Sequence, residues 1–235
     1  MELTNLEKLL DSESIIRENL PCPHPTTIYN SISEFGEVEA VLGKPYITKA
    51  DNEVHTSYSS YMFKVNLNSN IPKYKDIINT EHIGNLGIIV NIPKNIIKVY
   101  AGYEARACLN LCVFNADTVV ENNLTAVSIL PRILDSVANK LEVKHLSIVD
   151  TIQRLVDTEY DLPQFLQRIG HVYLNPKITS KMMADSKIAL SDKDNIYYDM
   201  PHNDWKIYSS LTDNLKNTPV SKRIDSLLEI EKIFI

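Results

Sequence analysis

The chain has 235 residues, a 44% apolar share, 23% charged residues and a formal net charge of −6 at pH 7. Such a composition is ordinary for a soluble globular protein with room for one large domain, and it argues against a broad basic surface for nucleic acid. No apolar run approaches the roughly 18 residues of a membrane span.

The acidic, amphipathic start Met1-Glu2-Leu3-Thr4-Asn5-Leu6-Glu7 lacks the basic and apolar regions of a secretory signal. A cytoplasmic protein without membrane contact is expected. Charge is uneven: residues 1–35 hold two bases and six acids, residues 36–110 eight and seven, and the remainder fourteen and seventeen. A polyanion would therefore meet the middle segment. Cys22, Cys108 and Cys112 are odd in number and too few for a disulfide framework, which fits reduced thiols.

Leu3, Leu6, Leu9, Leu10 and Ile16 recur at helical spacing behind Thr4-x-x-Glu7, a capping-box pattern, and predict a first helix over 4–18. Pro21, Pro23 and Pro25 end it. Strand signals follow over 39–47 and 57–65, joined by an Ala50-Asp51-Asn52-Glu53 hairpin turn. Leu86 to Ile92 is nearly continuous apolar sequence, as in a strand covered on both faces. Pro93-Lys94-Asn95 turns the chain into a strand over 96–103, and 108–114 is a fifth candidate. Short separations favour antiparallel pairing.

From about 124 the period becomes helical. Ala126, Leu130, Ile133, Leu134, Val137 and Leu141 form one stripe, with Pro131 marking a kink or a late start. Ser147 is expected to cap a separate helix. Pro163 opens another through Ile169, and Asn175-Pro176 a further one. Asn203 caps a helix holding the single tryptophan, Trp205, and Pro219 begins the last. The predicted class is α+β: a hairpin-rich antiparallel sheet of about five strands followed by a helical C-terminal half. A single domain over 1–235 is expected, with a helix and proline-rich loop in 1–35, sheet in 36–115 and helices in 124–235.

Motifs of chemistry are scarce. With six glycines, the chain has neither G-x-x-x-x-G-K-[ST] nor G-x-G-x-x-G, and H-E-x-x-H and G-x-S-x-G are absent too. Cys108 and Cys112 share a face, and Cys22 and His24 would complete four zinc ligands. A strand spacing of four residues, however, separates the two thiols by roughly 13 Å, too far for one ion. Buried cysteines are the plainer reading, and no metal or cofactor is expected.

His202 beside Asn203 and Asp204 reads as a residue at a helix start. Asp192, Asp194 and Asp199 read as a polar linker, lacking the glycine and glutamate of a calcium loop. No catalytic residue is assigned, and the chain leans away from enzymes. Tyr61, Lys64, Lys98, Tyr100 and Arg106 interleave aromatic and basic residues through the strand region, the pattern of a single-stranded nucleic-acid platform. The alternative is that tyrosines simply favour strands, with lysines on the solvent face.

Arg106-Ala107-Cys108-Leu109-Asn110 resembles the Arg…Cys-x-Asn element of an uncharacterised phage/plasmid-like protein family. Trp205, Ile207, Tyr208 and Thr212 match in spacing its C-terminal Trp-x-Leu-Tyr-Asn-x-x-Thr element. Leu111 and Ser209 stand where the family has glycine and asparagine. The resemblance implies a phage or plasmid origin, action in a host cytoplasm and no established activity. Three functions are therefore carried forward: a phage-type accessory protein that binds or anneals single-stranded nucleic acid, a protein-binding factor that redirects a host protein, and a cryptic hydrolase or nuclease.

Overall fold

The computed structural model describes residues 4–12, 23–50, 53–67, 82–105, 110–112 and 118–235. Among the described residues the elements run α1 (Asn5–Leu10), α2 (Pro25–Ile32), β1 (Gly36–Leu42), β2 (Pro45–Ala50), β3 (Glu53–Tyr58), β4 (Ser60–Leu67), β5 (His82–Asn91), β6 (Ile96–Ala105), β7 (Asn110–Cys112) and β8 (Val119–Asn123). The helical half follows as α3 (Leu130–Asp157), α4 (Leu162–Tyr173), α5 (Ser180–Ser191), α6 (Asp204–Asp213) and α7 (Arg223–Glu231). The class is α+β, with an antiparallel sheet in the first half and helices in the second.

The main sheet has the order β1-β4-β5-β6-β7, with β8 also paired to β6, while β2 and β3 form a separate two-stranded hairpin. Ala50 pairs with Glu53 across the expected turn. The predicted strand over 39–47 is two strands instead. Gly43 lies between them, at a place where a Cβ would come within 2.4 Å of the Ser60 carbonyl oxygen. Between β5 and β6 the turn is secured by Asn95, whose φ of 56° is a left-handed conformation that asparagine tolerates. Its side-chain oxygen accepts from the Leu124 N–H at 3.4 Å.

Two compact units make up the chain: Met1–Tyr103 with Asp117–Val143 and Pro219–Ser221, and Glu104–Ala116 with Lys144–Thr218 and Lys222–Ile235. In the first, β5 is buried at every position from 84 to 91, the two-sided cover that its apolar run predicts. Thr4 and Glu7 form the expected capping box, and α1 stops at the Asp11 cap. The rest of the predicted first helix extends beyond the residues described at that end.

Three expectations about the helices are corrected. Asn175-Pro176 opens no helix, since α5 begins at Ser180 behind its Thr179 cap. The proline run does not stay irregular, since Pro25 opens α2, with His24 Nδ1 accepting from the Thr26 N–H at 3.2 Å. Proline suits a first helical position, where its missing N–H goes unused. Ser147 caps nothing, because α3 runs unbroken through it for 28 residues. Pro131 sits in the first turn of that helix, a late start rather than a kink.

Candidate functional site

The second unit is organised around α6. Asn203 caps it, accepting from the Lys206 N–H at 2.9 Å, and every residue from Asp204 to Thr212 is buried. A one-sided Trp205, Tyr208 and Leu211 stripe would bury only half of this helix, yet it is enclosed all round by α5, α7 and β7. Polar side chains survive there because each has a partner. Arg168 grips Asp204 twice, from Nε at 2.8 Å and from Nη2 at 3.1 Å. Lys206 Nζ donates to the carbonyls of Tyr198 and Met200 at 2.9 and 3.0 Å and lies 5.6 Å from the Phe165 ring centre. The Ser210 hydroxyl shares a hydrogen bond of 2.7 Å with Ser186, which accepts from the Tyr173 hydroxyl at 2.9 Å. Tyr208 donates to the buried Glu231 carboxylate at 3.1 Å.

Outside this core lies a cleft of about 540 Å³, lined by Glu159, Tyr160, Gln164, Gln167, Arg168 and His171. The last four come from α4 at helical spacing, so they line one side of it. Asp161 and Gln164 close a reciprocal capping box that fixes the start of α4. Glu159 and Tyr160 sit on the connection from α3, held by the Tyr160 N–H donating to the His202 carbonyl at 2.7 Å.

The hydrogen bonds that Arg168 donates to Asp204 hold it more firmly protonated than usual. Burial first, then the Asp204 charge, pushes the Tyr160 phenol above the ordinary tyrosine range, so it is neutral at pH 7. The cleft therefore contains an arginine already matched by a carboxylate and one exposed acid, Glu159, whose charge nothing in the cleft cancels.

The residues singled out from the sequence lie elsewhere. Tyr61 and Tyr100 are each 1% exposed. They belong to the core, because successive residues of β4 and β6, which point to opposite faces of the sheet, are buried alike. Tyr61 meets Phe63 edge-on with centroids 5.6 Å apart, and the Tyr100 ring occupies the space above Gly87. Lys64 stands opposite Glu39 across β1 and β4, its Nζ 3.7 Å from that carboxylate. Lys98 stands opposite Glu121 across β6 and β8, with Nζ at 2.9 Å. These are cross-strand ion pairs. Arg106 lies outside the described residues, as do Cys22 and Cys108.

His202, read as a helix-start residue, stacks on Phe165 at 4.6 Å. Among the described residues no three of His, Cys, Asp and Glu gather as metal ligands. No described helix is long and apolar enough to cross a membrane. The cleft residues went unnoticed in the sequence, although one signal was there: Arg168 is the single Lys, Arg, Asp or Glu between Leu162 and Leu174. No protein-family model, curated protein or solved structure matches the chain.

Proposed function

We propose that the chain is a non-catalytic, protein-binding factor whose helical unit receives a basic segment of a partner protein in the Glu159–His171 cleft. The observation that carries this reading is the charge of the cleft. Arg168 is neutralised by Asp204, leaving Glu159 as its net charge, and Asp157 and Asp161 are exposed on either side in sequence. A lysine or arginine would gain the Glu159 carboxylate and the neutral Tyr160 ring. Gln167 offers an amide to the peptide backbone.

The formal charge of −6 favours encounter with a basic protein. Action on a host protein is in keeping with the resemblance of the Arg106–Asn110 and Trp205–Thr212 elements to phage/plasmid-like proteins. The nucleic-acid reading has less support, since two of its rings are core residues and two of its lysines face glutamates.

Fluorescence anisotropy with a labelled lysine-rich peptide and a labelled oligo-dT tests both readings. The peptide should bind, weaken as salt screens the contact, and lose about tenfold in affinity, or about 1.4 kcal/mol, with Glu159→Arg. Binding that ignores this substitution would remove the cleft from the proposal. Oligo-dT binding with a steep salt dependence, and no peptide binding, would restore the nucleic-acid reading.

A further inference from the structure

The outward side of α4 is free of formal charge, because Arg168 is turned to Asp204. Along it run Leu162, Leu166, Gly170 and Leu174, each four residues on from the last, a ridge that winds about 120° round the helix from end to end. Leu162 is 55% exposed, Leu166 59% and Leu174 84%. At Gly170 nothing lies within 4 Å of the place a Cβ would take. The row thus presents two knobs, a notch and a third knob to solvent, an arrangement that marks a contact surface.

Its order selects the occupant. The four positions are symmetric about residue 168. An antiparallel copy of the same helix sets Leu162 opposite the partner's Leu174 and Leu166 opposite the partner's Gly170. A two-fold interface requires this reciprocity, in which each contact occurs twice. Leucine also fits the gap left by a missing side chain.

The helix ends agree. Asp157, Glu159 and Asp161 precede α4, whereas Lys181 follows it, together with Lys177, whose Nζ also holds Glu229 at 3.0 Å. Antiparallel pairing brings acids to bases at both ends. Parallel pairing would set acids against acids and the two notches against each other. We infer that α4 is the contact helix of an antiparallel two-fold dimer of this chain, with Leu166 of each copy seated over Gly170 of the other. This goes beyond the cleft reading and does not rest on it, but it turns the same acids, Asp157, Glu159 and Asp161, toward a second copy. A 12-residue helix is only about 18 Å long, so the contact belongs with small, weak interfaces of under about 1,200 Å².

Sedimentation velocity of the full chain, from low to high micromolar concentration, is the test. The expected result is a monomer that passes to a dimer as concentration rises. Gly170→Leu fills the notch and should abolish the dimer, while circular dichroism confirms that this exposed helical position keeps its fold. The double variant Leu166→Ala with Gly170→Leu exchanges knob and notch and should restore it. A wild-type chain that stays monomeric throughout overturns the inference. So does a Gly170→Leu dimer of unchanged strength, or a double variant no better than the single one.

Discussion

Arg168 and Asp204 meet as a bidentate pair, Nε to Oδ1 at 2.8 Å and Nη2 to Oδ2 at 3.1 Å, and so fasten the middle of α4 to the first turn of α6. Asp204 is the more deeply placed partner, at 10% side-chain exposure against 23%. Removing it leaves a partly buried guanidinium without its carboxylate. Asp204→Ala should destabilise the protein by about 3 kcal/mol, read as a fall in the urea midpoint at constant slope. A loss under half of that would mean that solvent satisfies Arg168 without the pair.

Gly87 offers a sharper packing test in the sheet. A Cβ there would sit 2.0 to 2.2 Å from ring atoms of Tyr100, which is itself buried. The ring is enclosed by the core, so Gly87→Ala should cost about 2–3 kcal/mol through overpacking. Combining it with Tyr100→Leu should recover part of the loss. Additive effects in denaturant titrations would show that the two positions do not touch.

Lys206 combines two opposing contributions. Burial lowers its pKa from the ordinary lysine value, against the pull of Asp199, so its charge is held at some cost. Its two hydrogen bonds to the Tyr198 and Met200 carbonyls offset that cost and tie down the segment before α6. Lys206→Met removes both contributions. A net loss of about 1–2 kcal/mol is expected, with faster hydrogen exchange confined to residues 195–203. Unchanged exchange there would show that the carbonyl contacts do not restrain the segment.

Alkaline pH should unfold the protein through its tyrosines. Burial raises the Tyr103 and Tyr173 phenols above the ordinary value. The unfolded chain then releases these protons at lower pH than the folded one. Their contribution is complete below about pH 10 and is lost as pH rises through the raised values. Lys206 acts in the other direction, adding stability as pH rises from its lowered folded value to about 10.5. Tyrosinate absorbance and circular dichroism should change together above pH 10. Ionisation of all twelve tyrosines ahead of unfolding would contradict the burial.

What the sequence revealed depended on how local each signal is. The Thr4 box, the Asn203 cap, the Asn95 turn and the two-sided burial of the Leu86–Ile92 run are set by neighbouring residues, and each is present. The Ser147 break failed because a serine can lie on the exposed side of a long helix whose apolar stripe continues past it. The burial of Tyr61 and Tyr100 is not legible for a different reason: strand propensity is silent on whether one face or both are covered. Arg168 and Asp204 lie 36 residues apart, and nothing in either's surroundings announces the other.

The polar content of α6 has a consequence for how the second unit reaches a unique arrangement. An all-leucine helix in the same place would tolerate rotation or slippage by a residue. Here a turn of about 100° would swing Lys206 away from its two carbonyls, strand the Asp204 carboxylate and part Ser210 from Ser186. Each near-miss insertion forfeits several mates at once, so the competing packings lie well above the native one. The helix screens out its own misassembly.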